Sequence, residues 1–282
     1  MIFEVIKLGF FYGCFIGLIA LGFALIYNVL HIVDFAHTDR MVISGYLFLT
    51  FINYYNQILS AIMAIVITII ISILTEYFLY KKIRKLNSKL LIISSFGLSI
   101  IIQNFLAIIY SDNLKEYPFF ENTFLNTNIY YRELILLPFL LLVSFILYYW
   151  LKHSKNGLSI RALISNFEKS LTIGIPYKKL YLIIFAISGL IAGVSGIYLS
   201  MGFGLTPYSG FKIMLLAFSA SLVAGIDNIY GAVLIGVLLG MLISIFEYLT
   251  NSLVAESLTL LILLTILLIR PNGIFGNKLR VI

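Results

Sequence analysis

The sequence predicts an all-α polytopic membrane protein with about eight or nine transmembrane or re-entrant helices and one folded cytoplasmic loop. Of its 282 residues, 61% are hydrophobic and only 11% are charged, and the mean hydropathy is +1.06. A soluble domain carries about 25% charged residues. Several apolar runs reach about 20 residues, which is the length that crosses a hydrocarbon core of about 30 Å. The alternating pattern of a transmembrane β-barrel does not run through the chain.

The helices are marked in chain order by apolar runs, most of them long enough to span a membrane. These runs cover residues 5–27, 41–53, 58–80, 90–110, 132–151, 181–201, 211–226, 229–248 and 254–269. The runs 41–53 and 211–226 are short. Short segments at membrane depth are tolerated only where they are buried in protein or line a polar cavity. We therefore expect both to be pore-lining or re-entrant, and whether they cross fully stays open.

Orientation follows from the distribution of charge. Basic residues cluster at 81–89, at 152–179 and in the tail, whereas the loop 111–131 carries three acidic residues against the single Lys115. The positive-inside rule places the basic regions in the cytoplasm and the acidic loop outside.

This distribution also accounts for the net charge of +7, which in a soluble protein would suggest a nucleic-acid partner. We expect no nucleic-acid partner and one membrane domain over residues 1–282.

A dense group of ionisable residues lies between the first two apolar runs. Because a metal site needs three or four converging, well-supported ligands, we expect no metal here. A break between helices that contributes polar groups to a cavity is favoured over a plain cytoplasmic or interfacial turn. Asp39 and Arg40 could also simply pair with each other. The members of this group are His31, Asp34, His37, Asp39 and Arg40.

Three carboxylates lie inside or beside apolar runs, at Glu76, Glu247 and Glu256. A carboxylate at the bilayer centre costs about 2.5–3.5 kcal/mol and is a functional candidate for that reason. All three are close to the ends of their runs, so we expect each of them to reach the headgroup region.

Glycines four residues apart predict close helix packing in the last third of the chain. The pairs are Gly189 with Gly193, and Gly236 with Gly240. Small residues at this spacing let two helix backbones approach each other. They carry no information about a substrate.

The chain contains no motif for catalysis or nucleotide binding. A phosphate-binding glycine loop, a nucleophile elbow and an HExxH zinc motif are all absent from the sequence. We therefore expect no catalytic residue and no cofactor bound by this chain itself.

The polar segment 161–175 is the largest break between apolar runs on the cytoplasmic side, within a loop of about 152–180. It is long enough for one short helix ending at Gly174, with Pro176 just beyond it as a stop. A folded cytoplasmic insert of this kind predicts a docking surface for a second protein. The alternative is an amphipathic loop that lies on the membrane surface.

Four segments, in order, carry a pattern that belongs to a known family. The first is LGFFYGCFIGLIALGFALIYNVLHIVDFAH, and the second is the segment 157–175 with its R-A…G-I pattern. The third is VAGIDNIYGAVLIGVLLG, and the fourth is LLIRPNGIFG close to the end. Together they resemble the permease subunit of branched-chain amino-acid ABC importers, the LivH type. The resemblance covers nearly the full length of the chain.

The resemblance implies a set of partners and a location. Such a permease pairs with a second permease subunit, of the same or a different kind. Two ABC ATPase subunits bind its cytoplasmic face and are the only subunits that bind ATP. A periplasmic or lipid-anchored substrate-binding protein delivers the amino acid. The expected location is the bacterial plasma (inner) membrane, as a multi-pass protein in contact with membrane lipid.

The resemblance also assigns residues to roles. Short cytoplasmic helices of such permeases insert into a groove on the ATPase, which implies a coupling role for Arg161, Ala162, Glu168, Gly174 and Ile175. The substrate-path candidates are Asp34, Phe35, His37 and Asp227.

This chain departs from the family pattern at the path. Asp34-Phe35-Ala36-His37-Thr38 stands where the family usually has Asn-Phe-Ala-His-Gly. A different substrate, such as urea or another small amide, therefore stays open. A stand-alone secondary carrier or channel for a small polar solute is the alternative from a different class.

Overall fold

The computed structural model describes residues 2–84, 89–115, 131–225 and 228–275. Within these ranges a helix covers every apolar run of the sequence. Five helices are long and apolar enough to cross a membrane, by length and composition, and shorter apolar helices accompany them. The predicted fold class, an all-α polytopic membrane protein, is confirmed.

The helices follow one another in chain order with mostly short connections. Three of the elements, α3, the π-helix and α4, form one unbroken helical segment. The elements are α1 (Ile2–Leu30), α2 (Ala36–Phe51), α3 (Gln57–Leu74), the π-helix (Thr75–Tyr80), α4 (Lys81–Ile83), α5 (Lys89–Tyr110), α6 (Tyr131–His153), α7 (Lys155–Ser165), α8 (Phe167–Thr172), α9 (Tyr177–Gly202), α10 (Ser209–Ala224), α11 (Ile229–Leu249) and α12 (Ser252–Ile269).

The basic clusters gather at one end of the helices. Lys81 and Arg84 line a cavity together with Phe167 of α8 and Lys178 of α9, so both basic regions lie on the same side. By the positive-inside rule this is the cytoplasmic end. The same cavity is lined by His31, which directly follows α1. Since α1 has 29 residues and a helix rises 1.5 Å per residue, α1 begins at the outer end.

The first helix packs along α11 with unusually close backbones. A Cβ atom at Gly240 would overlap the backbone of Gly13, and one at Gly236 would lie 2.5 Å from the Cα of Gly17. The close packing predicted for the glycine pair on α11 is confirmed. Such contacts hold helices together in lipid, where burial of apolar surface supplies little.

The short helices α2 and α10 have 16 residues each and lie largely inside the protein. At 1.5 Å per residue each is about 24 Å long. Ser44 on α2 donates a hydrogen bond of 2.8 Å to the carbonyl of Gly193 on α9. Near the C-terminal end of α2, the hydroxyl of Thr50 lies 2.7 Å from the hydroxyl of Tyr110, at the end of α5. Burial explains how a helix of this length is accommodated at membrane depth.

The chain after α12 closes the cytoplasmic end of α10. The backbone N–H of Ile274 donates to the carbonyl of Val223 at 2.7 Å, and that of Phe275 donates to Ala224 at 2.9 Å. The last carbonyls of a helix have no partner within the helix itself. The tail supplies those partners here. Asn228, four residues after α10, lines a cavity with Lys152 and Arg161, so α10 ends at the cytoplasmic end.

Candidate functional site

The connection between α1 and α2 folds inward. His31 has a φ angle of 52°, which turns the chain sharply after the last residue of α1. Asp34 is then carried into the interior, where its side chain is completely buried. The helix α2 begins at Ala36, five residues before the apolar run of the sequence, so that His37, Asp39 and other polar residues lie in its first turns.

Asp34 is the centre of a buried charge cluster. One carboxylate oxygen, Oδ2, accepts a hydrogen bond of 2.6 Å from Nη2 of Arg40, and neither side chain is exposed. The other oxygen, Oδ1, accepts 2.7 Å from the hydroxyl of Tyr80. The Arg40 guanidinium also lies 5.5 Å from the centre of the Phe185 ring. A buried ion pair needs such added partners, because removing two charges from water costs several kcal/mol per ion.

Arg40 and Asp39 do not pair with each other. Arg40 takes Asp34 as its partner, whereas Oδ1 of Asp39 accepts a hydrogen bond of 3.0 Å from the amide of Gln103 on α5. Neighbouring residues in a helix point about 100° apart, so the two side chains reach different surroundings. The cluster therefore connects α2 to the π-helix and α9 on one side and to α5 on the other.

The π-helix turns two polar side chains inward. Within this element, Glu76 and Tyr80 are the buried residues. Glu76 accepts two hydrogen bonds of 2.9 Å from the guanidinium of Arg84, which lies 4.3 Å from the ring centre of Tyr181. The expectation that Glu76 reaches the headgroup region is wrong, because Glu76 is only 2% exposed. Its charge is compensated inside the protein. Such π-helical turns occur frequently at functional sites.

His37 is packed between α1 and α9. Its Nδ1 lies 2.9 Å from the hydroxyl of Ser188. The opposite edge of the ring faces Gly22, where a Cβ atom would lie 2.8 Å from Nε2. Among the described residues, no group of three or more His, Cys, Asp or Glu side chains could hold a metal ion.

The path candidates fall into different surroundings. Asp34 and His37 are completely buried, so neither reaches solvent in this conformation. Phe35 is partly exposed, and its ring meets the edge of Phe96 on α5 at 5.4 Å between ring centres. Asp227 lies outside the described residues. Asp34, Phe35 and His37 therefore all lie at the start of α2, but only Phe35 is accessible there.

The cytoplasmic loop contains two helices rather than one. The Asn166 backbone is extended (φ −162°, ψ 104°), which ends α7. The Asn166 side chain then accepts a hydrogen bond of 2.9 Å from the backbone of Lys169 and begins α8. The single helix predicted for this segment is wrong because Asn acts as an N-cap more readily than as an interior helical residue. Gly174 has a φ of 81° and ends the second helix, as predicted.

The coupling candidates lie on these two helices and in the turn that follows α8. Arg161 is exposed on α7 and donates a hydrogen bond of 3.0 Å to the carbonyl of Lys152, which ties α7 to the end of α6. Glu168 and Gly174 are exposed, and Ala162 is half-buried. Ile175 is partly buried and packs against the core.

Three large apolar side chains on and beside α8 remain uncovered. Phe167 is 42% exposed, Leu171 is 41% exposed and Ile173 is 78% exposed. They lie at the end of the helices where the basic residues gather. Exposed apolar side chains among charged neighbours make α8 a candidate interaction surface.

A cavity of about 510 Å³ lies between α8 and the Glu76–Arg84 pair. Phe167 lines it from α8, and Glu76, Arg84 and Tyr181 line it from the π-helix, the end of α4 and α9. The ring of Phe167 also contacts that of Tyr177, which contacts that of Tyr181 beside Arg84, so packed side chains link α8 to the Glu76–Arg84 pair.

Several residues of this site carry no signal in the sequence. Tyr80, Phe185 and Ser188 lie within apolar runs and look like ordinary span residues. Only the fold brings them to Asp34, Arg40 and His37, from as far as 151 positions along the chain.

Comparison with known proteins identifies the family. The family model described as the permease component of branched-chain amino acid transport systems matches residues 5–270. The high-affinity branched-chain amino acid transport system permease protein BraD of Pseudomonas aeruginosa is 27% identical, over 94% of this chain and 92% of its own. LivH of Salmonella typhimurium is 23% identical over the same shares.

An archaeal relative agrees with these. The probable branched-chain amino acid transport permease protein LivH of Methanocaldococcus jannaschii is 27% identical, over 94% of this chain and 90% of its own. No solved structure matches the chain. Because the family model covers nearly the whole sequence, the chain belongs to the permease component family of branched-chain amino acid transport systems.

Proposed function

We propose that this chain is one permease subunit of an ATP-driven importer for branched-chain amino acids. It forms half of the translocation path with a second permease subunit. Separate ATPase subunits bind its cytoplasmic face, and an external binding protein delivers leucine, isoleucine or valine. The relatives support the substrate class, because their names describe branched-chain amino acid transport.

The observation that carries this proposal is the uncovered cytoplasmic surface of α8. Its apolar side chains Phe167, Leu171 and Ile173 stand exposed beside the exposed charge of Glu168. A helix in a groove is recognised through such apolar anchors. We assign the coupling role to α7, α8 and the turn after them, with Arg161, Ala162, Glu168, Gly174 and Ile175 as the coupling residues.

These five residues have different tasks in the proposed coupling element. Glu168 contacts the ATPase, and Arg161 holds α7 to α6 through the Lys152 carbonyl. Ala162 and Ile175 fix the element against the membrane helices, and Gly174 allows the sharp exit from α8. A movement imposed on α8 then passes through the aromatic contacts beside the cavity to Arg84 and the π-helix.

The substrate path runs past the start of α2 in this proposal. Phe35 is the candidate side chain that is partly exposed there, so it is the one placed to contact the substrate. Asp34 and His37 do not contact the substrate but hold neighbouring side chains in place. Asp34 is hydrogen-bonded to Arg40 and Tyr80, and His37 to Ser188. Asp227 is assigned to the path through the family resemblance alone.

The coupling role is tested with Arg161→Ala and Glu168→Ala in the reconstituted complex. We expect ATP-driven uptake to fall or ATPase association to weaken, with normal insertion of the chain. Lys82→Ala is the matched control, because Lys82 is exposed at the same end but lies on α4. Unchanged ATP-driven uptake in both variants would remove the docking role.

A further inference from the structure

A second cavity lies at the opposite, outer end of the protein. Its volume is about 530 Å³, and it is lined by the outer ends of α1, α9, α10, α11 and α12. Sites for small molecules typically measure about 300–1,000 Å³. The cavity is therefore large enough for an amino acid and lies inside a single subunit.

The charged lining of this outer cavity comes from three helices. Nζ of Lys212 on α10 lies 2.5 Å from Oε1 of Glu256 on α12. Glu247 on α11 lies within electrostatic range of both, and it forms no ion pair with any described residue. The lining thus carries one more carboxylate than ammonium groups. Glu247 is therefore the carboxylate that is open to an incoming ammonium group.

Much of the remaining wall of the outer cavity is aromatic. Phe11 and Tyr12 line it from α1, and Tyr198 and Phe203 line it from the end of α9 and the residue after it. The rings of Tyr12 and Phe203 are 5.1 Å apart between centres. An aliphatic side chain buries its surface well against such rings. The cavity therefore presents both charges and an apolar wall within one small volume.

We propose that this outer cavity is a binding subsite for a free α-amino acid with an apolar side chain. Glu247 accepts hydrogen bonds from the α-ammonium group. Lys212 shares its charge between Glu256 and the α-carboxylate. The aliphatic side chain packs against Tyr12 and Phe203. The subsite would hold substrate within this subunit at the outer end, away from Phe35.

This assignment rests on the proposed function for its ligand, because the cavity alone defines only the chemistry. The headgroup of phosphatidylethanolamine also joins an ammonium to an acidic group beside apolar chains. A free amino acid differs from it by carrying the two charges on adjacent carbon atoms. Binding measured in membranes with and without phosphatidylethanolamine distinguishes the free amino acid from this lipid.

The test measures equilibrium binding of radiolabelled leucine to the full chain in nanodiscs of phosphatidylcholine alone. We expect Glu247→Gln and Lys212→Gln to lower the affinity about tenfold or more each, as for loss of one charge-assisted hydrogen bond. N-acetyl-leucine, which lacks the ammonium group, should compete at least tenfold more weakly than leucine. Asp112→Asn, which removes an exposed carboxylate outside the cavity, is the matched control.

Three results would overturn the proposal. The first is no saturable leucine binding, and the second is binding that both cavity variants leave unchanged. The third is leucine binding that is lost when phosphatidylethanolamine is added, which assigns the cavity to lipid. ATP-driven leucine uptake by the reconstituted complex is measured in parallel. If uptake persists while binding fails, the subsite is rejected and the transport function stands.

Discussion

Arg40 and Asp34 form a fully buried ion pair, with 2.6 Å between Nη2 and Oδ2. The pair connects the first turn of α2 to the residue that enters the interior just before it. Tyr80 extends the pair to the π-helix, and Phe185 extends it to α9. One carboxylate therefore determines how three segments of the chain meet.

Removing one partner of this pair should destabilise the protein strongly. Arg40→Ala leaves the Asp34 carboxylate buried without its cation, which costs about 3–5 kcal/mol. The double variant Asp34→Leu with Arg40→Met should recover much of that loss, because no charge then stays buried. Thermal unfolding of the purified chain in detergent measures both effects.

Lys82→Met is the control for this prediction, since Lys82 is exposed. If Arg40→Ala loses no more stability than Lys82→Met, the ion pair does not hold the fold together. If the double variant is less stable than Arg40→Ala, the loss comes from packing and not from an unpaired charge.

Hydropathy predicted the helices well but not this cluster. Every apolar run became a helix, because about 20 apolar residues have few other solutions in lipid. Helix α2 begins five residues before the apolar run 41–53. Hydropathy missed these residues because it predicts a loop wherever polar side chains such as His37, Asp39 and Arg40 follow one another. Their partners lie on α5, the π-helix and α9, and pairing over such distances leaves no local pattern in a sequence.

The position of the cytoplasmic loop could be predicted from the sequence, but its internal structure only in part. The basic residues indicate where the loop lies, and Gly174 and Pro176 correctly indicate where its helical part ends. The break at Asn166 was missed, because an asparagine inside a polar segment is equally compatible with a helix surface. Its role as a cap became clear only from its extended backbone and its bond to the Lys169 N–H.

Close backbone contact between α2 and α9 makes Gly196 intolerant of a side chain. A Cβ atom at Gly196 would overlap the carbonyl of Met41. We expect Gly196→Ala to separate the two helices and to cost about 1–3 kcal/mol, as overpacking does in a well-packed interior. Thermal unfolding in detergent measures the loss.

Gly97→Ala is the matched substitution in open surroundings, with nothing within 4 Å of the added Cβ. It should leave the unfolding temperature unchanged or raise it, because alanine is the better helix former. Equal losses at the two glycines would contradict the close α2–α9 contact.

The cap at Asn166 should control the coupling element. Asn166→Ala removes the acceptor for the Lys169 N–H, which costs about 0.5–2 kcal/mol of local helix stability. We expect α8 to fray and ATP-driven uptake to fall severalfold, while global unfolding changes little. Asn166→Asp keeps an acceptor and should retain most of the uptake. Equal uptake by the alanine and aspartate variants would show that α8 needs no cap.

The central claim is that energy reaches this chain from partner ATPases. The direct measurement is uptake of radiolabelled leucine into proteoliposomes that hold either the chain alone or the chain with its second permease, ATPases and binding protein. The account predicts concentrative uptake only in the complete system, with ATP supplied on the side of the membrane where the ATPases are bound. The chain alone should show no concentrative uptake under a proton or sodium gradient. Gradient-driven concentrative uptake by the chain alone would contradict it.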